Sequence, residues 1–456
     1  MIEIKTALPG PKAKVFLDEA RTYEPRSMSD QVPIVWDKAW RCYVQDVDGN
    51  VFLDFTSGVL VTNAGHSHPK LVEEMRAQAD RVVNCYDFVN PYRPRLAKKL
   101  VEITPPNLDK AFILTTGSEA TEAAVKLARK YTGRKEIISF QGCFHGRTYG
   151  ALSMGGKRSG AGTRGFGPFL PGFVQAPFAF CYRCVFDKTY PACDTYCFDY
   201  LDWFVETETE RDIAAVITET YQGGAGSIIP PVEWMQKLER WCRENDVLLI
   251  MDEVQASFGR TGKLFGFEHY GITPNLLCLG KGISSGLPVA ALMGESWIMD
   301  VLSPGTMSST HGGNAFGARV ALKNIEVILE EGLVENAARV GEYMKERCKA
   351  LEQRYEVLGD ARCLGLVLGL EIVQSKHTKQ PAPELAKKIV DRCYRKGLLM
   401  IAPIGLYGNV LRIAPPLVIT EEEAGIGCDI LEEVFRDVLL DNLEGLGEYG
   451  VSDLIA

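Results

Sequence analysis

Val247-Leu248-Leu249-Ile250-Met251-Asp252-Glu253-Val254-Gln255 is a run of five apolar residues that stops on two carboxylates. Unbroken apolarity without alternation is the pattern of a strand buried on both faces, found in parallel sheets covered by helices. The pattern recurs at Ala111-Phe112-Ile113-Leu114, Ile137-Ile138-Ser139-Phe140 and Ala214-Ala215-Val216-Ile217. Helical stretches lie between, and residues 232–245 place Trp234, Leu238 and Trp241 four and three apart on one face. The expectation is an α/β protein with a mostly parallel central sheet. Ligands in such sheets bind beyond the carboxyl ends of the strands, so the residues after each apolar run are where chemistry should lie.

The segment Leu279-Gly280-Lys281-Gly282 follows the apolar Leu276-Leu277-Cys278, with Lys281 placed 29 residues after Asp252. A lysine between glycines at a buried strand end is poorly solvated, which lowers its ammonium pKa and frees the amine as a nucleophile. Alone, Gly-Lys-Gly is equally a surface turn, and an Asp-Glu pair is equally a helix cap. Together, a neutral amine and a buried carboxylate in need of a cation match one cofactor, pyridoxal phosphate (PLP), whose aldehyde takes a lysine and whose ring nitrogen takes an aspartate.

Other strand ends carry compatible groups. Thr115-Thr116-Gly117-Ser118-Glu119 opens a helix after Leu114. Its free N–H groups suit a phosphate, although Thr116-x-x-Glu119 also reads as a plain capping box. Phe144-His145-Gly146-Arg147 follows the next strand. Its phenyl ring suits a planar partner or the core, and its guanidinium suits a carboxylate or the surface. Arg412, set among apolar residues in Val410-Leu411-Arg412-Ile413, requires an anion, either a substrate carboxylate or an internal salt bridge.

At 456 residues the chain exceeds one ordinary domain. Residues 1–60 hold short strand-like pieces around 33–36, 42–44 and 51–53. Residues 61–325 hold the strand and helix alternation. Residues 326–456 add a helix over 333–355, a strand over 364–370 and a helix over 386–396. A net charge of −9 leaves no basic stripe for nucleic acid, and no apolar run nears the roughly 18 residues of a membrane span. A cytoplasmic enzyme acting on small metabolites is expected. Most of the thirteen cysteines are dispersed, but Cys181, Cys184, Cys193 and Cys197 crowd an insertion at about 178–200. They could ligate zinc, form two disulfides or remain free thiols; no metal is expected at the catalytic centre.

In this order, Gly117-Ser118-Glu119-Ala120, Phe144-His145-Gly146-Arg147, Glu219 to Gly226, Asp252-Glu253-Val254-Gln255, Gly280-Lys281-Gly282, Thr310 with Gly313-Asn314, and Arg412 resemble a known family over about residues 33–420. That family is the class III, ornithine/4-aminobutyrate-type aminotransferases of PLP fold type I. The resemblance implies a large PLP-binding domain and a smaller α+β domain built from both termini. It implies that Lys281 forms the Schiff base and shuttles a proton, that Asp252 holds the ring nitrogen, and that Gln255 meets the ring hydroxyl. Phe144 and Val254 would flank the ring, with His145 and Glu219 beside the cofactor. Gly117 and Ser118 would hold phosphate with Thr310 of the partner subunit, which makes the enzyme a homodimer or homotetramer with shared sites. Val59, after Gly58, would line the substrate pocket. Arg412 would take the α-carboxylate and Arg147 the distal carboxylate of 2-oxoglutarate or of an ω-amino acid. The implied reaction is transamination from a 4-aminobutyrate-like donor to a 2-oxo acid in two ping-pong half-reactions.

One segment departs from the family. Its Glu-Pro-x-Gln-Gly-Glu-x-Gly reads here Glu219-Thr220-Tyr221-Gln222-Gly223-Gly224-Ala225-Gly226, so Gly224 replaces the glutamate that gates the carboxylate-binding arginine. This leaves amino-acid racemases, epimerases and dialkylglycine decarboxylases as the alternative. The cysteine-rich insertion also resembles one found in some 4-aminobutyrate aminotransferases and in related racemases.

Overall fold

The computed structural model describes residues 1–28, 31–155 and 165–444; the end of the expected C-terminal domain, 445–456, lies outside the described residues. The chain divides into two compact units. One comprises Val61–Ala64 and Pro69–Glu335, and the other comprises Met1–Leu60, Gly65–His68 and Asn336–Ala456.

In the first unit the strands lie in the order Lys110–Leu114, Ala290–Gly294, Leu276–Leu279, Leu248–Asp252, Ile213–Glu219, Glu136–Phe140, Phe173–Ala176. Pairings from Leu276–Leu279 through Phe173–Ala176 are parallel, and Ala290–Gly294 runs against both its neighbours. The mostly parallel α/β expectation is met, and the reversed strand is an addition to it. Only ten residues, 280–289, separate Leu279 from Ala290. A parallel return needs a crossover of about a dozen or more, so the chain folds straight back.

Ile213–Glu219 and Leu248–Asp252 are buried at every position, as their unbroken apolarity requires. The helix Gly117–Thr132 lays Leu127 and the small Ala120, Ala123, Ala124 and Ala128 into the core, and the alanines let it lie close to the sheet. Val232–Glu244 buries Trp234, Met235, Leu238 and Trp241. Trp234 meets Phe140 and Phe178 edge-on, with ring centroids 5.1 Å away in each case. Each such fully buried large apolar side chain stabilises the unit by about 1.5–3 kcal/mol.

The second unit contains a sheet of Trp36–Trp40, Tyr43–Asp46, Val51–Asp54 and Leu398–Leu399, and a sheet of Leu358–Leu364, Val367–Ile372 and Val410–Ile413. The single strand expected over 364–370 is instead the turn and second arm of a hairpin. Gly365 takes φ 54, a left-handed conformation that favours glycine and reverses the chain. The first strand starts at Trp36 rather than Pro33. A helix, Pro11–Tyr23, occupies the proline-rich start. Pro11 needs no donor in the first turn, and the distant Asp48 carboxylate caps it by accepting from Lys12 N and Ala13 N, both at 2.9 Å. That cap comes from 35 and 36 residues away, so no local pattern shows it.

Candidate active site

Parallel register sets the acidic strand ends side by side. Glu219 lies opposite Asp252, and Asp252 opposite Cys278, three residues before Lys281. Asp252 is buried. Its Oδ1 accepts from Val254 N at 3.0 Å, and its Oδ2 meets His145 Nδ1 at 2.7 Å. Burial works against a charged His145, but the Cys143 sulfur and the Asp252 carboxylate outweigh it and raise the imidazole pKa well above its ordinary value. The cationic partner that the buried aspartate requires is therefore His145, brought over from the Phe144–Arg147 motif.

Glu219 ties the same elements together. It accepts from Phe144 N at 2.9 Å through Oε1 and from Gly223 N at 3.0 Å through Oε2. Burial pushes its carboxyl up to about 7, helped by Asp252 and opposed by His145 and the two N–H donors. The neighbouring Glu253 had no role in the sequence reading. It accepts from Thr220 Oγ1, from Gly266 N at 2.7 Å and from Phe267 N at 2.8 Å, pinning the loop beyond the strand. Three donors converging on one buried carboxylate come from residues far apart in the chain, so only a fold can assemble them.

The residues present fit PLP. At the phosphate end, Thr116 and Glu119 form a reciprocal capping box, so the helix begins in an ordered turn at Gly117. Arg147 N donates to Ser118 Oγ at 3.1 Å. Gly146 packs so close to Ser118 that a Cβ there would overlap its hydroxyl and stand 2.8 Å from Ala151 Cβ. At the ring end, Gly117 and Gly280 both face Val254. An added Cβ would lie 2.7 Å and 3.1 Å, respectively, from Val254 Cγ1. Both glycines therefore keep room beside the strand ends. The Gln255 amide oxygen is buried with no hydrogen-bond partner among the described residues, leaving that group capacity for a ring hydroxyl. Lys281 is half-buried and opens the Lys281–Ile283 turn at φ 40, a strained conformation for a lysine.

The larger unit thus unites Gly117, Ser118, Phe144, His145, Arg147, Glu219, Val254, Gln255, Asp252 and Lys281 around adjoining strand ends. Thr310 lies on an exposed loop at φ 58, before the helix Ala315–Glu330 that Asn314 caps. Val59 and Arg412 belong to the other unit. Val59 is half-exposed in the left-handed turn Ser57–Leu60, at φ 69, an outlier for a β-branched residue. Asp54 supports that turn by accepting from Thr56 N at 2.7 Å and Ser57 N at 3.1 Å. Arg412 is largely buried on Val410–Ile413, opposite Gly369. The four clustered cysteines are free thiols. No helix among the described residues is long and apolar enough to cross a membrane.

The family model for class III aminotransferases matches residues 25–435. A leucine/methionine racemase of Thermococcus litoralis is 36% identical, over 94% of this chain and 96% of its own length. A 4-aminobutyrate aminotransferase of Mycobacterium leprae is 34% identical, over 95% of this chain and 98% of its own length. Among solved structures, an (S)-enantioselective ω-transaminase of Thermomicrobium roseum superposes with a TM-score of 0.86 at 29% identity, over 96% of this chain and all of that one.

Proposed function

The chain belongs to the class III aminotransferases, PLP-dependent enzymes, and we propose that it moves the amino group of an ω-amino acid or related amine, 4-aminobutyrate-like, to 2-oxoglutarate or another 2-oxo acid. When bound, the cofactor supplies a carbonyl that condenses with amines and a ring that withdraws electrons from the adjoining carbon. Lys281 would hold the cofactor covalently, and its Nζ would move the proton at the amine-bearing carbon of the substrate. Asp252 would hold the ring nitrogen, and His145 positions Asp252 through the 2.7 Å contact of its Nδ1 with Oδ2. Glu219 fixes Phe144 and Gly223 by their backbones, and Phe144 and Val254 would flank the cofactor ring. Gly117 and Ser118 would take the phosphate, joined by Thr310 of the partner subunit in the proposed cytoplasmic homodimer or homotetramer. Arg412 and Val59, in the other unit, are the further residues proposed to bind substrate.

The observation that carries the choice of substrate is Arg147. Its backbone is tied to Ser118, and its exposed guanidinium lies 5.6 Å from the Phe144 ring centre. That cation suits a carboxylate distant from the reacting carbon, which 2-oxoglutarate and ω-amino acids have and simple α-amino acids lack. The test is a panel of amines and 2-oxo acids, followed by the change in cofactor absorbance and by product analysis. Faster turnover of ω-amino acids with 2-oxoglutarate supports the reading.

A second reading is racemisation or epimerisation of α-amino acids. It is favoured by Gly224, which stands where the family's gating glutamate would be, and by the 36% identity to a racemase. Incubation with single L-amino acids and no 2-oxo acid separates the two. Inversion of configuration without formation of a keto acid sinks the transaminase assignment.

A further inference from the structure

We propose that Ser57 is a positioning residue for substrate specificity, latching the strained turn Ser57–Leu60 to the strand that carries Arg412, so that Val59 is held as a fixed apolar wall. The proposal rests on the reading that Val59 and Arg412 meet the substrate. Ser57, Gly58, Val59 and Leu60 take φ of 48, 55, 69 and 61 in succession. That is a turn of left-handed helix, in which each Cβ crowds the following carbonyl oxygen. Residues with a side chain visit this region rarely and singly, and a β-branched one is an outlier there. Only Gly58 escapes the crowding. Strain of this kind persists where the surroundings over-determine it, and it gathers where ligands are gripped.

Residues 51–57 and Leu60 are buried, and between them only Gly58 and Val59 are exposed. The fully buried Asp54 accepts from Thr56 N and Ser57 N, and its Oδ2 also meets His66 Nε2 at 2.8 Å. Thr56 Oγ1 accepts from Gly58 N at 2.9 Å, and the Thr56 carbonyl accepts from Val59 N at 2.9 Å and from Leu60 N at 3.0 Å. These bonds shape the turn, and two bonds to Ala414 set where it sits. Ala414 N donates to Phe55 O at 2.8 Å, and Ser57 Oγ donates to Ala414 O at 2.5 Å. Ala414 is buried directly after the strand Val410–Ile413, two residues beyond Arg412. All of these residues belong to one unit. Val59 and Arg412 are therefore carried on two segments joined at one residue, and their separation is set while Ser57 holds. Val59 itself contributes little to the core, so packing does not account for the strain it bears. A branched apolar side chain held beside a carboxylate site sorts amino acids by the shape of the chain beyond the carboxylate, where a single methylene changes selectivity about 10- to 200-fold.

The experiment follows the cofactor absorbance of the PLP-loaded enzyme as L-glutamate, the amino counterpart of 2-oxoglutarate, or the branched L-leucine is titrated in. Wild type, S57A, V59A and S57A/V59A are compared. S57A should shift the ratio of the two apparent Kd values towards L-leucine by roughly 5- to 10-fold, the effect of one buried hydrogen bond. The limiting rate should stay within about twofold, and the affinity for PLP should not change. V59A should shift the ratio in the same direction, and S57A/V59A no further than V59A, because the latch acts through Val59. Hydrogen exchange reads the latch in the wild type directly. The amides of Gly58, Val59 and Leu60 should be protected although the first two residues are exposed, and S57A should speed their exchange by a similar factor. If S57A does not fold, the protection of these amides in the wild type decides. The proposal is overturned by wild-type amides that exchange as in an open loop, by S57A acting on the limiting rate or on PLP affinity with the Kd ratio unmoved, or by additive shifts in S57A/V59A. No absorbance response to either amino acid, or a V59A variant with an unchanged ratio, defeats the pocket reading and the proposal with it. A ratio that V59A moves and S57A does not defeats the latch alone.

Discussion

Replacing Glu253 by glutamine should reverse its effect on stability as pH rises. Burial holds this carboxyl at about 7 against an ordinary 4.5, despite the Thr220, Gly266 and Phe267 donors. The folded protein thus retains a proton that the unfolded chain has lost, and stability must fall as pH climbs from 4.5 to 7. At about 1.4 kcal/mol per pKa unit, the loss from this group is about 3 kcal/mol, complete above pH 7. Glutamine removes that pH dependence but turns an amide NH2 toward one of the donors, at a cost of about 1–3 kcal/mol. E253Q should therefore be less stable than the parent at pH 4.5 and equal to it or more stable at pH 8. Urea unfolding of cofactor-free protein at stepped pH, followed by tryptophan fluorescence, measures the difference. Glu219, also near 7, is present in both proteins and cancels. A difference that stays constant, or grows with pH, refutes the reasoning.

G146A should weaken cofactor binding. The new methyl group meets Ser118 Oγ and Ala151 Cβ from a backbone at φ 140, and strain plus overlap amount to about 2–6 kcal/mol. G133A, at φ 72 with open space around it, carries only the backbone cost, so fluorescence titration with PLP should separate the two variants. R147A should lower kcat/KM for 2-oxoglutarate roughly 10- to 100-fold, the loss of one charge-assisted carboxylate contact, and leave pyruvate nearly unchanged. Equal losses for both acids would remove Arg147 from the substrate site.

What the sequence revealed depended on how locally each feature is encoded. The unbroken apolar run at Leu248–Asp252 and the capping box at Thr116 act within a few residues, so strand and helix were legible in place. Lys281, Asp252 and the glycine motifs were legible because strand ends are where such sheets gather ligands. The His145–Asp252 pair joins residues 107 apart, and the Asp48 cap of Pro11–Tyr23 spans a long gap; neither leaves a local trace. The expected strand over 364–370 failed for a different reason. Its leucines and valine fit a strand by composition, and the left-handed Gly365 breaks it.

The central claim is that Lys281 is the residue that carries the cofactor. Borohydride reduction of the PLP-loaded enzyme, followed by peptide mass mapping, tests it directly. A phosphopyridoxyl group is expected on Lys281 and no label on K281A, which should also lack the visible absorbance of the lysine-bound cofactor. An unmodified Lys281, or the same label on another lysine of the wild-type chain, would contradict it.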